Sequence, residues 1–184
     1  FGAVGSYVVS LKVTTLCQQE VQAALPVNVL ASSTNKKKVA AIAEPEPEPC
    51  ETVYSDAVRI SEFLPNPYGE EAVEEWIELV NMGSSTVSLC GWSLDDSEEG
   101  SKPYKFADEV VGPGEYVLLT RKQTKLALNN NADTVRLFAG DTLVASVVYT
   151  KAPDGEAMAL RGDGLMVWTP YKTPQEPNTF RSAE

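Results

Sequence analysis

Apolar and polar positions alternate with period two near the start of the chain. Tyr7, Val9, Leu11 and Val13 alternate with Val8, Ser10, Lys12 and Thr14; Val21, Ala23, Leu25, Val27 and Val29 alternate with Gln22, Ala24, Pro26 and Asn28. Successive side chains of a strand point to opposite faces, so this pattern predicts two half-buried strands within residues 1–30, joined through Thr14–Glu20. A lone hairpin buries too little to be stable. Ordering this stretch costs on the order of 45 kcal/mol at about 1.5 kcal/mol per residue, and each buried aliphatic side chain returns only about 1.5–3 kcal/mol. The two strands therefore call for further partners.

From Val58 onward short apolar runs recur, and no amphipathic helix pattern of useful length interrupts them. The pattern predicts strands over Val58–Leu64, Glu75–Asn81, Thr86–Leu94, Tyr104–Phe106, Glu115–Arg121, Thr134–Phe138, Leu143–Tyr149, Glu156–Leu160 and Leu165–Thr169. Turn residues separate them: Pro65-Asn66-Pro67-Tyr68-Gly69, Gly112-Pro113-Gly114, Gly140-Asp141, Pro153-Asp154-Gly155 and Gly162-Asp163-Gly164. Many short strands at this spacing predict an all-β, two-sheet sandwich. Ile77 and Leu79 share one face, and Trp76, Glu78 and Val80 the other. Gly91 marks a bend or bulge, and Trp92 behind it is the candidate central core aromatic.

Between these regions, residues 31–57 read as a linker. Lys36, Lys37 and Lys38 lead through a short Ala-rich patch into Glu44-Pro45-Glu46-Pro47-Glu48-Pro49. Proline fixes φ and removes donors while the glutamates repel one another, giving a semi-stiff spacer. The lysine triplet reads as solvated charge rather than an import signal. The layout is then 1–30 strands, 31–57 linker, 58–180 sandwich and 181–184 tail.

Composition narrows the chemistry. The chain has 184 residues, a net charge of −11 and no histidine. Absence of histidine removes Ser-His-Asp and Cys-His nucleophile pairs and every His-ligated zinc site. The acidity argues against a nucleic-acid backbone as partner, since that affinity rests on clustered Lys and Arg. No run of 18 uncharged apolar residues is present, so no spanning helix and no membrane insertion is expected. Cys17, Cys50 and Cys90 permit one internal disulfide with one thiol left over; a Cys17–Cys50 bridge is one arrangement, and no C-x-x-C pair points to zinc or thioredoxin chemistry. Beginning at Phe1 without a leader, the sequence reads as an internal piece whose signal or anchor lies elsewhere.

Several residues invite sharper readings. Glu74, Glu75 and Glu78 could be acid–base carboxylates, but no nucleophile accompanies them, and a strand start with solvated charge accounts for them. Glu62 shares parity with Val58 and Ile60, so it is expected to point inward and accept loop amides. Asp95, Asp96, Glu98 and Glu99, with Ser97, form the one candidate calcium loop; calcium takes six to eight oxygens, and the EF-hand spacing is missing. Without it, no catalytic, cofactor or metal residue is assigned. Arg161-Gly162-Asp163 spells the integrin tripeptide within ordinary hairpin chemistry. Tyr68, Tyr104 and Tyr171 either line a glycan or peptide platform or cap sheet edges.

Two resemblances follow from these residues. Phe1-Gly2-Ala3-Val4-Gly5-Ser6-Tyr7-Val8-Val9-Ser10-Leu11-Lys12-Val13-Thr14 resembles the closing strands of a PKD-type domain, which makes residues 1–30 a truncated PKD-like hairpin. The sandwich resembles the lamin tail domain, an immunoglobulin-like module. Ile60-Ser61-Glu62-Phe63-Leu64-Pro65-Asn66-Pro67, Glu75-Trp76-Ile77-Glu78-Leu79-Val80-Asn81 with Leu89-Cys90-Gly91-Trp92-Ser93-Leu94, Pro113-Gly114-Glu115-Tyr116-Val117-Leu118-Leu119, and Thr173-Pro174 with Pro177-Asn178 carry that match in the family's order, over residues 58–178. Gln175 stands where the family has glycine, so a φ > 0 turn is in question there. The Cys90 position takes a small or polar residue in the family, which implies an outward or edge thiol.

The resemblance implies a non-catalytic, extracellular or surface-attached module of a multidomain bacterial protein, used for binding, spacing or adhesion to a protein or glycan ligand. The alternative is an accessory targeting domain of an extracellular hydrolase, a nuclease or protease, whose catalytic domain lies outside this sequence. A nuclear scaffold tail would need a heptad rod, and none is visible.

Overall fold

The computed structural model describes the backbone of residues 5–14 and 20–29 and the whole of residues 51–180. The chain divides into two compact units, Phe1–Glu46 and Pro47–Glu184. In the first, β1 (Gly5–Thr14) and β2 (Glu20–Val29) pair antiparallel from Gly5↔Val29 to Thr14↔Glu20. This is the hairpin that the alternation predicts, and Pro26 stands opposite Val8. The Glu/Pro run lies outside the described residues.

The second unit runs β3 (Val58–Leu64), α1 (Glu71–Glu74), β4 (Trp76–Asn81), β5 (Val87–Ser88), β6 (Trp92–Asp95), β7 (Tyr104–Lys105), β8 (Val110–Val111), β9 (Tyr116–Thr120), α2 (Arg121–Thr124), β10 (Ala132–Ala139), β11 (Thr142–Thr150), β12 (Ala157–Leu160) and β13 (Met166–Thr169). Its sheets have the orders β11-β10-β6-β7 and β13-β12-β3-β4-β9, with a small β5-β8 pair beside them. All pairings are antiparallel. The two larger sheets enclose one core, an immunoglobulin-like β-sandwich in which Ile60, Ile77, Leu79 and Leu119 meet Trp92, Leu94, Val135 and Leu137. No helix among the described residues is long and apolar enough to cross a membrane.

Local sequence explains the details. In β10, Asp133, Val135, Leu137 and Ala139 are buried and alternate with half-exposed neighbours, the period-two signature of a strand with one buried face. Gly91, at φ +75°, divides the predicted Thr86–Leu94 run into β5 and β6; a Cβ there would meet Thr52 Oγ1 at 1.9 Å. Trp92 is fully buried, and its indole N–H donates to Val53 O at 3.0 Å. Residues just before β3 therefore lie against the sandwich, and Met82 N also donates to Ala57 O. Val110–Val111 is too short a ladder to register as a periodic pattern.

One register break corrects the sequence reading. The β3–β4 ladder shifts between Ile60 and Glu62. The bulge at Ser61 reverses parity, so Phe63 joins Val58 and Ile60 in the core. Glu62 instead pairs with Glu78, which lies between the core residues Ile77 and Leu79 and therefore faces away from the core. Both carboxylates stand on the outer side of the five-stranded sheet, not inside the sandwich.

Candidate functional site

Outward-facing glutamates of β3 and β4 ought to be solvated, yet Glu62 and Glu78 are both 0% exposed. The segment after β13 accounts for this. Thr173 N donates to Glu62 Oε2 at 3.1 Å, and the Thr173 hydroxyl lies 2.9 Å from the same oxygen and 3.1 Å from Asn178 Oδ1. Gln175 N donates to Glu78 Oε2. The Asn178 amide donates to Ser61 O and Leu160 O, both at 3.0 Å. Thr173-Pro174 and Pro177-Asn178 thus form a strap across the sheet, with carboxylates serving as its anchors. Gln175 takes φ +64°, so the left-handed turn is made without glycine.

The electrostatics of this cluster follow from its dryness. Burial raises the Glu62 carboxyl above its ordinary range, against the pull of the Thr173 contacts. Burial likewise pushes Glu78 up to about 6, with the Glu62 charge adding to the rise and the Gln175 amide opposing it. Glu78 Oε1 is buried with no hydrogen-bond partner. Such an oxygen carries a desolvation penalty when ionised, which protonation removes.

Glu75, also buried, belongs to a second arrangement. Its Oε1 accepts from Arg121 Nη1 at 2.9 Å and its Oε2 from Leu128 N at 3.3 Å. Burial pushes this carboxyl up to about 7 despite the Arg121 charge. The expectation of solvated charge is overturned for Glu75 and Glu78, whereas Glu74 is exposed as expected. The three glutamates are not brought together: Glu75 ties α2 and the following loop to the sheet, and Glu78 ties down the strap.

The acidic loop is organised from within. Asp95 Oδ2 accepts from Arg136 Nη2 at 2.7 Å, and Asp95 Oδ1 from Asp96 N at 3.0 Å. Both Asp96 oxygens lie 2.9 Å from Ser101 N. Glu98 and Glu99 are exposed, with Glu98 Oε1 3.7 Å from Arg136 Nη1. Burial raises the Asp95 carboxyl against the Arg136 charge. No group of three or more acidic or sulfur ligands placed to hold a metal occurs among the described residues. Asp133, which sequence reasoning did not single out, holds the loop: its Oδ1 accepts from Ser97 N and Thr134 N, and its Oδ2 from Asn129 N and Nδ2. The available signal was an aspartate on the apolar parity of β10.

Arg161 and Asp163 bond to each other, with Arg161 Nη2 2.7 Å from Asp163 Oδ2, in the β12–β13 turn. The tripeptide's two charges are therefore spent on one another. Of the three tyrosines, Tyr68 is 83% exposed and Tyr171 47%. Tyr104 is half-buried against Phe106 and donates to Glu109 Oε1, which removes it from any shared platform. Lys172 Nζ lies 5.9 Å from the Tyr68 ring centroid and donates to Gly155 O. Cys90 is half-buried and disulfide-bonded, correcting the expected edge thiol; Cys17 and Cys50 lie outside the described residues. Beside the strap a surface groove of about 360 Å³, with Val80, Met82, Tyr116, Arg161 and Phe180 in its lining, carries no carboxylate.

The family model of the lamin tail domain matches residues 53–151. That match covers β3 to β11, while β12, β13 and the strap continue the sandwich beyond it. No curated protein and no solved structure matches the chain.

Proposed function

Because the chain belongs to the lamin tail domain family, we propose that it acts as a non-catalytic binding, spacing or adhesion module of a multidomain secreted or surface protein. The observation that carries this reading is the disposition of the buried acids. Glu62, Glu75, Glu78, Asp95, Asp96 and Asp133 each accept from an amide or a guanidinium of the same chain. A general acid or base must reach a reacting proton, and these groups are instead committed to holding the fold. The disulfide at Cys90 supports an oxidising compartment. Exposed Tyr68, with Lys172 over its ring, and exposed Tyr171 supply aromatic and cationic surface of the kind that protein or glycan ligands use.

The test is an assay of the purified chain for nuclease and protease turnover, alongside binding to a panel of immobilised polysaccharides and matrix proteins. The expected result is no turnover, and retention on at least one support that Tyr68→Ala with Tyr171→Ala abolishes. Turnover lost in Glu75→Gln or Glu78→Gln would overturn the reading.

A further inference from the structure

Glu62 and Glu78 are cross-strand partners on the outer face of the five-stranded sheet, and neither is exposed. Two carboxyls this close and this dry cannot both ionise cheaply, so the pair keeps a proton that separate, solvated groups would release. The contacts say which group keeps it. Glu62 faces the Thr173 amide and hydroxyl and feels the Lys172 charge, all of which favour its ionised form. Glu78 accepts from the Gln175 amide and faces the Ser61 hydroxyl, while its Oε1 is buried without a hydrogen-bond partner. From β9 it faces the Tyr116 phenol, which is raised above its ordinary range and so brings no charge near neutral pH. The proton therefore belongs on Glu78.

The amides that meet the two carboxyls, those of Thr173 and Gln175, both belong to the strap. The groove beside it draws its lining from the sheet, through Ser61, Val80 and Tyr116, and from the strap, through Pro177, Asn178 and Phe180. We propose that the strap is a proton-operated latch: one proton held by the Glu62–Glu78 pair keeps residues 173–178 on the sheet, and its release lets them lift and takes the groove apart. A lifted strap returns Glu78 to water. Under the closed strap its carboxyl titrates at about 6, against an ordinary 4.5. The closed form thus holds the proton more tightly; this advantage is full below about 4.5 and is lost as pH rises through about 6. The ratio of closed to lifted strap falls about thirtyfold over that interval. This inference does not rest on the binding reading above.

Amide hydrogen exchange of the intact chain, followed by NMR at several pH values and corrected for intrinsic rates, tests it. Protection of the Thr173 and Gln175 amides should fall about thirtyfold between pH 4.5 and 7.5. Glu78→Gln, whose amide mimics the protonated carboxyl, should hold the acid-level protection at every pH. Glu62→Gln removes the neighbouring charge and should move the midpoint to lower pH. Glu75→Gln, in a buried carboxyl that the strap does not touch, should leave the slope as it is. Protection that does not change with pH, a slope that survives Glu78→Gln, or a slope that Glu75→Gln removes, overturns the proposal; the last would mean that the strap opens only with the whole domain.

Discussion

On the outer side of the five-stranded sheet, Glu62 and Glu78 bind backbone amides more than ninety residues away in sequence, and none of the ion pairs among the described residues includes them. In the loop after β6, Asp95 is matched by Arg136, and Asp96 bonds an amide only five residues on. Both regions are acidic and both are buried, but they are different devices. The loop is tied to the adjacent strand β10, where Arg136 pairs with Asp95 and Asp133 accepts from Ser97 N. The strand carboxylates close the domain over a long range at the expense of desolvation, which lifts Glu78 to about 6; Glu75, held by Arg121 and Leu128, is lifted to about 7 by the same cause. In both arrangements each buried carboxylate accepts at least one hydrogen bond from the same chain.

The largest effect distinguishing the two is expected from Asp133→Ala, which strips acceptors from three backbone amides of the loop region. A loss of about 3 kcal/mol is expected from buried donors left unpaired, read by urea denaturation. Asn178→Ala probes the strap in the same way. Its amide bridges Ser61 and Leu160, and about 2 kcal/mol should be lost. A resistant strap in that variant, shown by unchanged proteolysis near residue 175, would mean that the two carboxylates suffice as anchors.

Next comes pH. Folded Glu75 and Glu78 titrate near 7 and 6, above the ordinary 4.5. The folded state thus retains protons that the unfolded chain has released. This contribution is fully present below about 4.5 and is lost as pH rises through the folded values. The melting temperature should fall between pH 5 and pH 8, with Glu78 contributing at most about 2 kcal/mol. Glu78→Gln should flatten the fall between pH 5 and 6.5. Smaller still is Gln175→Gly, which relieves a left-handed side chain and should add about 0.5–1 kcal/mol, measured in the same denaturation. Finally, millimolar calcium should leave the melting temperature unchanged, because Asp95 and Asp96 are already engaged; an upward shift would reinstate the loop as a cation site.

Much of the architecture was legible from alternation alone: the paired strands Gly5–Thr14 and Glu20–Val29, the strands from Val58 to Thr169, and Trp92 at the centre behind Gly91. The motifs at Glu75–Asn81 and Pro113–Leu119 pointed to the family. What escaped has a common cause, since it depends on contacts between distant segments. The Ser61 bulge adds one residue without any local mark, so parity sent Glu62 to the wrong face. Burial of Glu78 depends on a strap almost a hundred residues later, and burial of Glu75 on α2 and Leu128. Gln175 shows a second limit: with Thr173 and Asn178 both fixed, tertiary bonds hold a turn that residue preference alone disfavours. Asp133, by contrast, was detectable as a carboxylate on an apolar parity.

The most direct test of the strap and its anchors is a carboxyl carbon NMR titration of Glu78 in the folded chain. Burial beneath Gln175 predicts an apparent pKa of about 6 that drops when residues 171–184 are removed. A value near 4.5 in the intact chain, unmoved by that truncation, would contradict the account.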